Sequence, residues 1–337
     1  MDQGSSSAFM KILFVSSGNK ETGISPIVES QGITLRNIGI ELEFFSIEGK
    51  GYNSYLKCVL KLRKHLRNNR YDIIHAHYGL SGIVSFLARN KEKLIVSFMG
   101  DDILGSNNQD GSYRMISKLF VRINLWLSRD YYDSVIVKSA EMSGKVKLVN
   151  KCNIVPNGVD MNVFRELEQT DCRKKLDWDI DIIHVLFPSN PTRAEKNFYL
   201  AESAIKRLAG NYRISLHTLT GIQYEMVPVY LNAANLVLLT SFHEGSPNVI
   251  KEAMACNCPV VSSDVGDVRW VIGSTEGCYI TSFEPTDVSE KIIRSINFSK
   301  IRHKTNGRTR IKDLGIDSDT TARKIKDIYA QLMQEKN

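Results

Sequence analysis

SFHEGSPNVIKEAMACNCPVVSSD spans residues 241–264 of this 337-residue chain. Leu236–Thr240 is a short apolar run that reads as a buried strand ending where the quoted stretch begins. A loop over Phe242–Pro247 follows, then helical spacing over Asn248–Ala255 and a second apolar strand over Pro259–Ser262. Strand, loop, helix and strand in that order form the repeating unit of a parallel sheet. Ser246 has the side chain of a helix cap, and Pro247 suits a first helical position, where no N–H is needed. The free N–H groups of that first turn, at Asn248 and Val249, then make an anion site, and Gly245 lets a ligand approach the backbone closely. Glu244 stands before the helix and Glu252 inside it, so both carboxylates can border one bound molecule. A carboxylate accepts several hydrogen bonds, which suits sugar hydroxyls at one end and a ribose diol at the other. Two solvated glutamates flanking an ordinary helix are the plain alternative.

The same alternation runs in both directions. Upstream, Lys11–Ser16 reads as a strand, Ile27–Gly39 as a helix, Glu41–Ile47 as a strand and Tyr52–Asn69 as a helix. Strands at Tyr71–His75, Leu94–Phe98, Ser134–Val137 and Cys152–Val155 follow, with helices at Gly79–Arg89 and Tyr113–Leu127. In Tyr52–Asn69, Leu56, Val59, Leu60, Leu62 and Leu66 fall mostly on one side. After Phe164 the pattern restarts, with strands at Ile182–Phe187 and Tyr212–Thr218 and helices at Asn197–Leu208 and Val227–Ala234. Two α/β halves are therefore expected: residues 10–160, residues 161–315, and a C-terminal amphipathic helix within 316–337 able to pack back on the first half. At roughly 100–200 residues per domain, the length agrees.

Further candidates gather around this frame. Arg193 and Lys196, in SNPTRAEKN, follow the first strand of the second half and could hold a diphosphate at the carboxyl ends of the strands. Pro156–Asp160 (PNGVD) is a turn at the junction, with Gly158 supplying a positive φ and Asn157 a candidate ligand contact. Gly18–Gly23 (GNKETG) follows the first strand, as a phosphate-facing loop would. His75 and His77 lie two apart on a strand and so point to one face. Their pairing could hold a metal only with a third ligand, and none is evident. Asp179 and Asp181 form a DxD triplet before a strand, in a connecting loop.

Glu244 to Glu252 matches the E-x7-E pattern of retaining GT-B glycosyltransferases of family 4, and EAMACNCPVVSSD matches that pattern's continuation. LLTSFHEGSPNVIKEAMAC resembles bacterial capsule or teichuronic-acid type transferases, and the resemblance extends over most of residues 10–315. It implies two Rossmann-like domains facing a cleft, with a nucleotide diphosphate sugar held by the second domain and a saccharide or lipid-linked acceptor by the first. It also implies transfer with retention, without metal or cofactor, in cell-surface polysaccharide synthesis. Lys196 and Arg193 would neutralise the diphosphate, Glu244 would orient the sugar and Glu252 the ribose. His77 and Asp101 would meet the acceptor side, and Gly18 the donor. The chain departs from the family where Met99 replaces a usual histidine, and where Arg193 lies three rather than five residues before Lys196. A sugar-nucleotide epimerase and a non-catalytic nucleotide-sugar binding protein are the alternatives. A dinucleotide enzyme is disfavoured, because neither half carries GxGxxG after its first strand.

Composition limits the remaining classes. Hydrophobic residues are 42% and charged residues 24% of the chain, ordinary for a folded protein. Residues 1–10 lack the basic start and apolar core of a secretory signal, and six scattered cysteines without a CxxC pair suit a reducing cytoplasm. The net charge of +7 is concentrated in part at Lys57, Lys61, Arg63, Lys64, Arg67 and Arg70, a stretch without acids. No nucleic-acid module accompanies it, so nucleic acid is not expected. A solvated helix face is one reading. The other is an anionic membrane surface on the inner side of the cytoplasmic membrane, with the protein peripheral to it.

Overall fold

A computed structural model describes residues 10–18, 23–49, 52–105, 115–148, 150–302 and 304–334. The chain forms two compact units: residues up to 105, 115–156 and 319 onward make the first, and residues 157–318 the second. The first contains β1 (Lys11–Ser17), β2 (Glu41–Ile47), β3 (Ile73–His77), β4 (Lys93–Ser97), β5 (Ser134–Val137) and β6 (Cys152–Ile154). They form one sheet in the order β2-β1-β3-β4-β5-β6, all pairs parallel. The second unit has β7 (Ile183–Phe187), β8 (Ile214–Thr218), β9 (Leu236–Leu239), β10 (Val260–Ser263) and β11 (Tyr279–Thr281), ordered β11-β10-β9-β7-β8 and again parallel.

The central strands of both sheets are buried on both faces, which is why they read as continuous apolar runs rather than alternating ones. In β1, Leu13 and Val15 join the core under the helices Tyr52–Asn68 and Gly79–Ala88, whereas Ile12 and Phe14 join a second core on the opposite face. That second core is completed by the C-terminal helix Ser318–Gln334, through Ala322, Ile325, Ile328, Tyr329 and Leu332. Those positions recur at the helical period, and the Lys326 ammonium ties the helix further to the Ile38 carbonyl at 2.9 Å.

The chain leaves the second unit beside the place where it entered. Val159 N–H donates to the Ile316 carbonyl at 3.1 Å, and Ser318 N–H to the Val159 carbonyl at 2.9 Å. Gly158 lies against this crossing. It does not have the positive φ expected of it; it is needed because a Cβ there would sit 2.7 Å from Ser318 Cα. The helix Tyr52–Asn68 also departs from expectation. Val59, Leu62 and Leu66 are buried, but Leu56 and Leu60 are 64% and 63% exposed. Strand β3 runs to His77, two residues beyond the expected end, so it carries both histidines.

Candidate functional site

The loops after β7 and β9 meet at the carboxyl ends of two adjacent parallel strands, where open sheets bind ligands. A single turn, Ala194–Lys196, follows β7, and Thr240 lashes it down. Its hydroxyl donates to the carbonyls of Lys196 and Asn197 at 3.2 and 2.9 Å. Phe242 N–H adds a bond to the Glu195 carbonyl at 2.9 Å. With both loops fixed, the Lys196 ammonium comes 2.5 Å from Oε1 of Glu244, and the Ser241 hydroxyl donates to the same oxygen at 2.7 Å. The pair is mostly shielded, with side chains 13% and 14% exposed. Arg193 does not join it. Its guanidinium is bonded by Glu195 at 2.7 Å and is half exposed.

The helix Asn248–Ala255 begins at Asn248. Pro247 stands one position ahead of the first helical residue rather than in it, and no side chain caps the helix. Ser246, expected as the cap, instead donates its hydroxyl proton to Asp267 at 2.6 Å. The first-turn N–H groups of a helix have no intrahelical acceptor, so this end remains suited to an anion. Asn157 reaches the same turn, its Nδ2 donating to Asn248 Oδ1 at 3.3 Å. Gly245 is buried, while Asn248 and Val249 are partly accessible.

Glu252 lies four residues into the helix and is buried. Tyr224 donates its hydroxyl proton to Oε1 at 3.3 Å. Burial pushes the Glu252 carboxyl up to about 7, and the neighbouring Lys251 and Tyr224 only partly offset this. Lys251 was not evident as a site residue from sequence. It is 1% exposed, and its ammonium donates to the Asn157 carbonyl and to Ser246 Oγ, each at 3.0 Å.

The candidates of the first unit fall differently. His75 and His77 do share a face, their rings stacked 4.4 Å apart. His75 is bonded to Tyr329 at 2.6 Å and to Ser97 at 2.8 Å. His77 was expected to meet an acceptor, but it is 2% exposed and packs on Phe14, with neither ring nitrogen bonded among the described residues. Burial holds both rings well below the ordinary histidine range. Asp101 is exposed at the start of the short helix Asp101–Leu104. Its neighbour Asp102 is the buried one, accepting from the N–H groups of Gly79, Met99 and Gly100 at 2.9–3.2 Å. Gly18 is packed rather than open, since a Cβ there would lie 2.8 Å from the Ser46 side chain. Residues 19–22 of its loop lie outside the described residues. In the DxD triplet, Asp179 accepts from Asp181 N–H at 2.8 Å and from Arg213 at 3.0 Å, which is the work of a turn. No group of three metal-ligating side chains occurs among the described residues.

The family model described as "Glycosyltransferase Family 4" matches residues 29–163, and that described as "Glycosyl transferases group 1" matches residues 194–297. The chain belongs to the family 4 glycosyltransferases. The second match covers Lys196, Glu244 and Glu252 together. Among relatives of this family, the putative teichuronic acid biosynthesis glycosyltransferase TuaC of Bacillus subtilis is 26% identical over 258 residues, covering 70% of this chain and 64% of that protein. The chain thus spans just under two thirds of that relative's length. Among solved structures, sucrose-phosphate synthase from Thermosynechococcus elongatus superposes with a TM-score of 0.79 at 18% identity, covering 97% of this chain and all of the other. Anabaena HepE in complex with UDP and glucose superposes at 0.70, also at 18% identity, covering 96% and 100%. The fold is the GT-B arrangement of two Rossmann-like domains.

Proposed function

We propose that this family 4 glycosyltransferase moves a sugar, with retention, from a nucleotide diphosphate donor to a saccharide or lipid-linked acceptor in cell-surface polysaccharide synthesis. The observation that carries the reading is the Lys196–Glu244 pair, held at 2.5 Å beside the amino end of Asn248–Ala255. In the transfer the bond from the sugar C1 to the diphosphate oxygen breaks and C1 bonds to the acceptor oxygen. The acceptor proton leaves with the diphosphate. Negative charge builds on the leaving group, and a preorganised cation and helix N–H groups stabilise it most where they are fixed beforehand. Lys196 and the turn Gly245–Asn248 supply those groups, with Arg193 near enough in sequence to swing from Glu195 when a stronger anion binds. Glu244, beside Lys196, takes sugar hydroxyls, and Glu252, deeper in the helix, takes the ribose diol. The UDP and glucose in complex with HepE support a donor of this class.

No helix among the described residues is long and apolar enough to cross a membrane. An acceptor carried on a lipid would be met at the inner face of the cytoplasmic membrane, with the basic helix Tyr52–Asn68 toward an anionic surface.

A screen of UDP-, GDP- and ADP-sugars for slow hydrolysis, followed by acceptor trials, tests the reading. Release of nucleoside diphosphate with an α-configured product from an α-configured donor supports it. Interconversion of the donor sugar without release would favour an epimerase, and binding without either reaction a binding protein.

A further inference from the structure

Between the loops after β9 and β10 lies a polar cluster that the transfer scheme above does not use. Its centre is Lys251, in the second turn of Asn248–Ala255 and 1% exposed. The ammonium donates to the carbonyl of Asn157, the first residue of the second unit, and to Ser246 Oγ, each at 3.0 Å. A hydroxyl has one proton and two lone pairs. Ser246 accepts from Lys251 with a lone pair and passes its proton to Asp267 Oδ2 at 2.6 Å. Asp267 is itself buried, and its Oδ1 has no partner among the described residues. The backbones close in at the same place. Gly266 has φ +56°, and a Cβ there would sit 2.6 Å from the Gly245 carbonyl oxygen.

Burying an ammonium and a carboxylate is costly, and an apolar side chain of similar volume often serves stability as well or better. Methionine would fill the Lys251 channel without a desolvation cost. What it could not do is hold the Asn157 carbonyl and the Ser246 hydroxyl at once. Ser246 belongs to the turn proposed above to receive the donor phosphates, and Asn157 bonds to Asn248 in the same turn.

We infer that Lys251 is the positioning residue of the donor site: its ammonium, clamped between Asn157 and Ser246 and balanced through Ser246 by Asp267, fixes the turn Gly245–Asn248 in the shape that receives a nucleoside diphosphate. The inference rests on the donor-site reading above and adds a residue to it. Lys251 touches no substrate; it acts through the backbone it holds.

The experiment uses the full chain, titrated calorimetrically with UDP, GDP and ADP. Lys251→Met, Asp267→Asn and the double variant are compared with the unaltered protein for nucleotide affinity and melting temperature. Lys251→Met leaves Asp267 charged and unbalanced, so it lowers both. The double variant removes that imbalance and regains melting temperature, yet its affinity stays at least about tenfold below that of the unaltered chain, because the clamp is still missing. A double variant that binds nucleotide as well as the unaltered chain overturns the inference and reduces Lys251 to a counter-ion. An unaltered chain that binds none of the three nucleotides overturns the donor reading itself, and the inference with it.

Discussion

Lys196 Nζ lies 2.5 Å from Glu244 Oε1, so the two groups assigned to different parts of the donor neutralise one another before any donor binds. Ser241 donates to the same carboxylate, which would keep Glu244 oriented if Lys196 turned toward a phosphate, as proposed. Glu244→Ala would free Lys196 but remove the sugar contact, and Lys196→Met would leave the carboxylate facing the diphosphate. We expect each to cut turnover by well over tenfold, about 1.4 kcal/mol or more of transition-state stabilisation, with the fold intact by circular dichroism. The double variant should be no worse than the poorer single one, because the two act as a unit. Near-normal turnover in Glu244→Ala would remove it from the site.

The proposed donor site should be sensitive to pH through Glu252. Its carboxyl is pushed up to about 7 by burial, against an ordinary value of 4.5. An acid with a raised folded value is destabilising once ionised: the cost is absent below about 4.5 and fully present above about 7. Glu252→Gln should therefore raise the melting temperature at pH 8 and leave it nearly unchanged at pH 4.5. The ribose diol needs an acceptor, so nucleotide affinity should run the other way and weaken as pH falls from 8 to 5.5. Calorimetry at the two pH values in both proteins checks this. Equal pH dependence in Glu252→Gln would assign the effect to another group.

Much of this site was legible in the sequence because it is local. Glu244 through Glu252 lie on one loop and one helix, and periodicity with turn chemistry fixes their spacing. The alternation of strands and helices is legible for a similar reason, since parallel strands buried on both faces read as apolar runs. What stayed hidden depends on contacts between distant residues. Asp267 took Ser246 away from its expected cap, and nothing within 241–264 announces a partner at 267. Lys251 carries no signal in the sequence, because the Asn157 carbonyl that holds its ammonium lies 94 residues away. His77 reads as accessible at a strand end, yet Phe14 and His75 enclose it. The exposed Leu56 and Leu60 share a helix with buried Leu62 and Leu66, and only the packed structure separates the two sets.

In the proposed scheme Lys196, the helix N–H groups and a released Arg193 stabilise the leaving diphosphate, so the transfer needs no divalent ion. Activity should survive excess EDTA, measured as nucleoside diphosphate release. Loss on chelation with recovery in Mn²⁺ or Mg²⁺ would assign the diphosphate to a metal. Asp179→Asn with Asp181→Asn would then show whether the DxD triplet holds it, although Asp179 is at present engaged by Arg213.

The basic helix of the first unit carries the last prediction. Lys57, Lys61 and Lys64 are exposed, and Leu56 and Leu60 project among them. The helix Met115–Asp130 presents a second mixed surface. Met115, Ile116 and Leu119 are 81%, 74% and 60% exposed, with Lys118 and Arg122 beside them. Basic residues interleaved with exposed apolar ones are the pattern of a surface that lies at a membrane interface. Each Lys or Arg near an anionic leaflet contributes about 1 kcal/mol, so about five such contacts would hold the protein reversibly and let it go in high salt. We expect the full chain to cosediment with vesicles containing anionic lipid at low salt and to be released at high salt. The variant Lys57→Glu, Lys61→Glu, Lys64→Glu should stay in solution, and Leu56→Ser with Leu60→Ser should shift release to lower salt. If the unaltered chain ignores anionic vesicles even at low salt, the basic face is a solvated surface. A lipid-linked acceptor would then have to reach the site without membrane docking.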